Sequence, residues 1–448
     1  MLTRIQVEGF KSLLNVDVRL GPFTAFVGEN GAGKSNLFDA LLFLSLLMKH
    51  PIPEAAALLR DASGRSMKPS ALFTRIGAHR EPELRIAVDL LVPSSNEDDY
   101  GVRADASITS MRYTLALQVD DERTGQLSIT HESLEPLKVT ETRAGLGFES
   151  APAFRTSAVT GRRPSPIVSC HDGVVKIHQE GHQGRAREVP LARSSRTVLQ
   201  SVNGDFPSAL AARRELESWT TLSLEPSKMR SPSSYRDPRK IDAFGGGLPA
   251  ALERMRLERG EVVLAEIANQ LAELLPAVRR LRVVDDARTE TFTVEVCGTD
   301  GAFHPARALS DGTLRFLVLS ALAVDGAATG VLCFEEPENG MHPDRIPAMV
   351  SLVRDLAVDP SLAVDETNPL RQVLMNTHSP LVYKEVDDED IVFVELATVV
   401  KEGEHGEVTR VGVPAGTWRQ RSGQAAVAPS RAKRWRQMTF DSIWAAEE

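Results

Sequence analysis

The chain opens with apolar and polar residues in alternation over Leu2–Val7 and Val16–Leu20, then the apolar run Phe23–Val27; the pattern predicts short β-strands. Leucine-rich sequence follows, and a helix is expected from about Gly33 to Met48. Residues 50–80 carry prolines and small residues and read as looser chain. From Glu83 to about Val175 strand-like segments return as ELRIAVDLLV, MRYTLALQV, QLSITHESL and GVVKI, separated by turn-forming stretches, and predict a β-rich lobe.

The character changes over residues 205–280, where LAARRELESW and LPAALERMRLERGEVVLAEIANQLAELL read as helices joined by the polar, proline-containing EPSKMRSPSSYRDPRK. Strands return at RRLRVVDD and TFTVEVCG. Beyond them short apolar runs alternate with helices through FLVLSALAV, GVLCFE, RIPAMVSLVRDLA, QVLMNT and DIVFVEL. Strand–helix alternation of this kind predicts an α/β fold with a mostly parallel core sheet. The expected division is a discontinuous core of residues 1–60 and 281–400, a β-rich lobe at 61–200, a helical insertion at 201–280 and a basic tail at 401–448. No repeat of 20–50 residues and no sustained heptad is visible.

Composition narrows this only modestly. A chain of 448 residues, 42% hydrophobic and 25% charged, is that of an ordinary globular protein with room for a large core. No uncharged apolar run approaches the length of a membrane span, and the polar start MLTRIQVEGF does not read as a signal peptide. Three scattered cysteines, Cys170, Cys297 and Cys333, make no disulfide framework, and a cytoplasmic location is expected. A net charge of −9 excludes a surface that attracts nucleic acid everywhere. Local basic patches remain: Arg410–Gln437 holds seven Lys/Arg and no Asp or Glu, and Arg230–Lys240 is a looser cluster.

Residues 28–35, G-E-N-G-A-G-K-S, satisfy G-x-x-x-x-G-K-[ST] in full. By average residue frequencies, a chance match in a chain this long is on the order of 1–2%. The motif leaves a predicted strand and opens a predicted helix. Gly28, Glu29, Asn30, Gly31, Ala32 and Gly33 then form a loop whose glycines let successive N–H groups point at phosphate oxygens. Lys34 supplies charge for the β- and γ-phosphates, Ser35 a hydroxyl for Mg²⁺, and Asn36 completes the nucleotide-binding candidates in the first helical turn. The stretch is read as a site for a nucleoside triphosphate.

Three further motifs follow. In GVLCFEEPENGMHP, residues 330–343, an apolar strand ends in two glutamates before Pro337; Glu335 is the candidate metal ligand and Glu336 the candidate base for an attacking water. In ALSDGTLRFLVLSALAV, Ser310 and Asp311 are good N-cap residues, Gly312 permits close backbone approach, and an apolar helix follows, so its N-terminus suits an anion. In VLMNTHSP, His378 stands just beyond a strand. Capped helices and lone histidines are common, so these last two carry weight only together with the others.

In this order the motifs resemble those of the ABC-type ATPases, and within them the RecF/SMC-like branch that includes the OLD-family ATPases. GENGAGKS, LSDGT, VLCFEEPE, ENGMHP and THSP fall in that family's order, and the N-terminal IQVEGFKSL is similar to the opening of this branch. The resemblance covers residues 1–48 and about 305–395 clearly and the middle in outline. It implies ATP and Mg²⁺ as ligands, and a second copy of the chain docking head-to-tail around two ATP molecules. The Ser310–Gly312 region of one subunit would cap the γ-phosphate at Lys34 of the other, and His378 would reach that phosphate from its own subunit. It also places Lys11 or Ser12 near the nucleotide edge. The role implied is an ATP-switched ATPase engaging DNA or RNA, in repair or in anti-phage defence beside a separate effector protein. The alternative is an ATP-dependent scaffold or sensor that holds a partner protein without nucleic acid. A transporter motor fits poorly, because roughly 275 residues separate Lys34 from Ser310.

Two departures from the family pattern stand out. Glu335 occupies a position where most ABC proteins have aspartate, which predicts slow turnover, and no convincing Q-loop glutamine is present, Gln118 lying in a predicted strand. Cys170–His182 holds one cysteine and three histidines without tight metal-ligand spacing and reads as a polar hairpin. Asp387–Asp390 reads as an acidic turn, and the sequence after Glu385 is too short for the Toprim nuclease domain of OLD proteins, so no DNA cleavage by this chain is expected. The tail interleaves Trp418 and Trp435 with arginines, a combination that suits base stacking or a protein partner.

Overall fold

The computed structural model describes residues 1–59, 68–121, 126–180, 186–191 and 194–427. His182, Trp435 and the basic stretch around them lie outside the described residues.

Six strands build the central sheet, in the order Thr220–Leu222, Gly330–Glu335, Arg371–Thr377, Phe23–Val27, Ile391–Lys401 and Glu404–Gly412. The first five run parallel, and the last turns back in a hairpin and runs antiparallel. All five residues of Phe23–Val27 are buried, as expected of a parallel strand covered on both faces. Strand alternation then sorts its neighbours. Phe26, Val331, Cys333, Leu374 and Val392 pack with the helices Lys34–Leu47 and Pro207–Ser218. Ala25, Val27, Leu332, Phe334, Val373 and Met375 pack with the helices Leu248–Arg259, Val262–Leu274, Asp311–Val324 and Ile346–Asp355.

The β-rich lobe is an eight-stranded sheet, in the order Arg187–Pro190, Val174–Ile177, Val168–His171, Gln126–Pro136, Ser110–Asp121, Glu83–Leu91, Leu2–Phe10 and Leu13–Arg19. Its strands pair antiparallel, and Glu83–Leu91 alternates buried and half-buried residues because only one face meets the core. Buried Gln372 joins the two sheets: its side chain accepts from the Leu2 N–H at 2.7 Å and donates to the carbonyls of Leu2 and Gly21 at 2.8 and 2.6 Å.

Sheet membership departs from the expected division in three places. The strands Leu2–Phe10 and Leu13–Arg19 belong to the antiparallel lobe rather than to the core, because their partner is Glu83–Leu91. Thr220–Leu222, inside the expected helical insertion, is the edge strand of the core, and three residues are too few for a periodic signal. Glu404–Gly412 belongs to the core sheet, not to a tail. The following helix Trp418–Arg421 is docked as well. Trp418 is 5% exposed, meets the Phe148 ring at 6.0 Å and donates its indole N–H to the Glu389 carbonyl. Arg419 is fully buried, hydrogen-bonded to the Arg19 carbonyl at 3.0 Å and to Thr24 at 2.7 Å, and burial lowers its pKa to about 10. Trp418 is therefore a packing residue and offers no face to a nucleobase.

Candidate nucleotide site

A parallel sheet brings its chemistry to the carboxyl ends of its strands. Here the register aligns Thr377 with Val27 and Glu335 with Asn376, so the phosphate-binding loop, the Glu335–Glu336 pair and His378 leave three adjacent strands at one edge. The loop is shaped by its glycines. Gly31 and Gly33 have φ of 78° and 95°, and a Cβ on Gly28 would collide with the Val394 carbonyl. The helix Lys34–Leu47 follows with Gly33 as its N-cap residue. The Asn36 N–H bonds the Gly33 carbonyl at 3.1 Å, while the Lys34 and Ser35 N–H groups open the helix without a carbonyl one turn back, the arrangement that receives phosphate oxygens.

Lys34 is 5% exposed, and its ammonium donates to the Gly28 and Glu29 carbonyls at 2.7 and 2.8 Å, across the loop it serves. Burial lowers its pKa, while the carboxylates of Glu336, Glu338 and Glu29 pull the other way. The side chains of Glu29 and Asn30 face outward. Asn36 donates to the Ser12 hydroxyl at 2.7 Å, so it supports the loop from behind. Lys11 pairs with Asp39 at 2.6 Å. Both Lys11 and Ser12 thus stand against the phosphate-loop helix.

The two glutamates share a strand end but not an environment. Burial raises the pKa of Glu335, and nearby Asp39 and Glu336 add to the effect, while the Ser35 hydroxyl and Asn376 oppose it through hydrogen bonds. Charge accumulated on a half-buried oxygen cluster is what a hard divalent cation relieves, and the Ser35 and Glu335 oxygens fit Mg²⁺ in donor type. Glu336 is displaced the other way. The His378 hydrogen bond lowers its pKa against burial, with help from Asn339 and Lys34. His378 Nδ1 lies 2.8 Å from Glu336 Oε1, and Asn339 donates to Oε2 at 2.8 Å. The same contact raises the pKa of His378.

Glu336 also has φ of 44°, a left-handed conformation that costs a non-glycine residue about 1–2 kcal/mol. It is held there by its own N–H, which donates to Asn376 Oδ1 at 3.0 Å, and by its carbonyl, which accepts from Asn339 at 3.0 Å. The turn aims the carboxylate back toward Lys34 and His378 instead of along the strand. Behind it Glu338 is buried, accepts from the Thr377 hydroxyl, and is pushed toward its neutral form by burial.

Ser310 caps the helix Asp311–Val324, accepting from the Thr313 N–H at 3.2 Å. Arg230 donates to Asp311 at 2.5 Å and to the Leu309 carbonyl at 2.9 Å. The arginine expected in a loose basic cluster thus braces this motif. Ser310, Asp311 and Gly312 line a hollow of about 480 Å³ with Leu275, Gly340, His342 and Arg345. Among the described residues that hollow includes no residue of the phosphate-binding loop, and a Cβ on Gly312 would meet open space.

Lys34, Ser35, Glu335, Glu336 and His378 meet at one edge, held by residues outside that predicted set. Asn339 and Asn376 lie inside the quoted motifs ENGMHP and VLMNTHSP, as amides flanking Glu336 and His378. Asp39 falls one helical turn past Ser35. Thr409, whose hydroxyl donates to the Ala32 carbonyl at 3.0 Å, lies 377 residues away in the chain and carries no motif.

Comparison with known proteins bears on the family and the fold. Residues 23–383 match the family described as "AAA domain, putative AbiEii toxin, Type IV TA system". The DNA replication and repair protein RecF of Paenarthrobacter aurescens (strain TC1) is 39% identical over 67 residues, 15% of this chain and 17% of that protein. The OLD nuclease of Thermus scotoductus (strain ATCC 700910 / SA-01) is 51% identical over 41 residues, 9% of this chain and 8% of the nuclease. The chain thus spans less than a fifth of either relative. In fold it is similar to an SMC head solved in complex with the C-winged helix domain of ScpA, with a TM-score of 0.50 and 15% identity over 91% of this chain and 97% of that one. The chain belongs to the AAA-domain family that its residues 23–383 match, as an ABC-type ATPase of the branch that includes RecF, SMC and OLD proteins.

Proposed function

We propose that the chain hydrolyses ATP and pairs with a second copy of itself around the nucleotide, so that ATP switches its hold on a partner. The observation that carries this reading is the Glu336–His378 contact of 2.8 Å at the sheet edge that also holds Lys34. Glu336 stays ionised and takes the proton from a water attacking the γ-phosphorus as the bond to the bridging oxygen breaks. His378 holds the carboxylate in place and, carrying charge, faces the phosphate. The loop N–H groups and Lys34 bind the phosphates, and Ser35 and Glu335 would hold Mg²⁺. When bound, the metal offsets charge on the β- and γ-phosphate oxygens.

Pairing is supported by Ser310–Gly312. A capped helix N-terminus with open space at Gly312 is prepared for an anion, yet it lines a hollow apart from its own chain's phosphate loop. A second head supplies the match. Nucleic acid and a separate effector protein are the candidate partners, in repair or in defence. The buried Trp418 and Arg419 and the Arg230–Asp311 pair remove three residues from the expected basic surfaces, and with a net charge of −9 this favours a protein partner.

The test is the molar mass of Glu336→Gln protein by light scattering, with and without ATP-Mg²⁺ and then with duplex DNA. Doubling with ATP-Mg²⁺, abolished by adding Lys34→Ala, is expected; an unchanged mass overturns the pairing. Retention of DNA by the ATP form would identify nucleic acid as the partner.

A further inference from the structure

Behind the phosphate-binding loop three side chains from distant parts of the sequence form a chain of hydrogen bonds. Asn36 Nδ2 lies 2.7 Å from Ser12 Oγ, Ser12 Oγ lies 2.6 Å from Thr409 Oγ1, and Thr409 Oγ1 lies 3.0 Å from the Ala32 carbonyl. The donors follow from chemistry. A carbonyl oxygen only accepts, so the Thr409 hydroxyl donates to Ala32; its oxygen is then free to accept from Ser12, whose oxygen accepts from the Asn36 amide. Every link has one direction, and each bond polarises the next. The Thr409 N–H donates in addition to the Ser12 carbonyl at 2.8 Å, which fixes the register of the two segments.

The position of this chain relative to the phosphate cradle matters. Thr409 is 3% exposed and stands so close to Gly33 that a Cβ there would collide with its hydroxyl and with that of Ser12. Gly33 is the left-handed residue on which the loop turns into the helix, and Ala32 is the residue before it. A hydrogen bond on the Ala32 carbonyl fixes the peptide unit that carries the Gly33 N–H, one of the groups expected to face phosphate. The strand Glu404–Gly412 is thereby tied to the nucleotide site although no residue of it belongs to a nucleotide-binding motif.

We propose that Thr409 is a positioning residue for nucleotide: its hydroxyl, relayed from Asn36 through Ser12, holds the Ala32–Gly33 peptide in the orientation that receives phosphate. This deepens the ATP-binding reading and rests on it. Valine keeps the shape of threonine and removes the hydroxyl, leaving the Ala32 carbonyl without its donor and the Ser12 hydroxyl without its acceptor. Serine keeps both.

The experiment is equilibrium binding of fluorescent ADP and ATP to wild-type, Thr409→Val, Thr409→Ser and Ser12→Ala protein, at a temperature well below each variant's melting point, with ATP turnover in parallel. Thr409→Val is expected to weaken nucleotide binding about tenfold and to raise KM more than it lowers kcat, with Ser12→Ala weakening binding in the same direction. Thr409→Ser is expected to stay within about threefold of wild type. A purely structural threonine would lower the melting temperature and leave the affinity of the folded protein unmoved, and that result overturns the proposal. So does a Thr409→Ser variant as weak as Thr409→Val, because the hydroxyl would then not matter. If Thr409→Val does not fold, the Ser12→Ala affinity decides. Wild-type protein that binds neither nucleotide sinks the ATP reading itself, a failure distinct from either of these.

Discussion

The parallel and antiparallel sheets both hold glutamates, in surroundings that differ. In the parallel sheet Glu335 and Glu336 stand at a strand exit, half-buried, with partners on one side and an open edge on the other. In the antiparallel sheet Glu132 is fully buried in the strand Gln126–Pro136, with every oxygen engaged. It accepts from the Val198 and Leu199 N–H groups at 2.7 and 2.9 Å and from the Tyr113 hydroxyl at 3.2 Å. Burial nonetheless pushes its pKa to about 7. Direction of perturbation does not separate function from structure here, since Glu335 is raised as well. What separates them is whether the polar shell is closed. The oxygens of Glu132 are taken up by protein donors, whereas Glu335 meets the Ser35 hydroxyl and the Asn376 amide with the carboxylates of Asp39 and Glu336 nearby, a negative cluster that a cation would offset.

Variants at the two sites should sharpen that difference. The largest effect is expected from Lys34→Ala, which removes the buried cation of the phosphate loop: nucleotide affinity should fall more than a hundredfold in a calorimetric titration, with the lobe's fold intact. Next comes Glu132→Gln. The amide cannot accept on both sides, so the Val198 N–H loses its acceptor and unfolding free energy should drop by about 1–3 kcal/mol in urea melts, with no change in nucleotide affinity. Loss of affinity on a par with Lys34→Ala would blur the contrast.

The smallest effect concerns pH. Glu336 is lowered by His378, so its share of the pair's stability is present above the ordinary 4.5 and fades as pH falls through its lower folded value. His378 is raised by Glu336, so its share is full below the ordinary 6.5 and fades as pH rises through its higher folded value. The melting-temperature gap between wild type and His378→Gln should therefore be widest between these two values and close on the alkaline side. A gap that widens above neutrality would contradict the ion pair.

The sequence was a good guide where local chemistry repeats a physical requirement. The turn glycines Gly31 and Gly33, Lys34 one residue further on, and apolar runs ending in Glu335 and Thr377 all show in short windows, because each is set by its own strand end or turn. Sheet membership does not show in this way. Leu2–Phe10 reads as a strand either way, and only its pairing with Glu83–Leu91 assigns it to the lobe. Trp418 and Arg419 looked like an exposed basic–aromatic pair because burial against Phe148, Thr24 and Glu389 depends on contacts from remote parts of the chain. Thr409 was invisible for the same reason: a lone threonine in a strand says nothing of an Ala32 carbonyl. The motif residues that meet at the strand ends were legible and the residues that hold them were not.

The central claim is that Glu336, held by His378, activates the attacking water. It is tested most directly by single-turnover hydrolysis of radiolabelled ATP by wild-type and Glu336→Gln protein, with nucleotide affinity measured on the same samples. The account predicts unchanged affinity and a chemical step slowed by about a hundredfold or more. Hydrolysis by Glu336→Gln at the wild-type rate would show that the base is elsewhere.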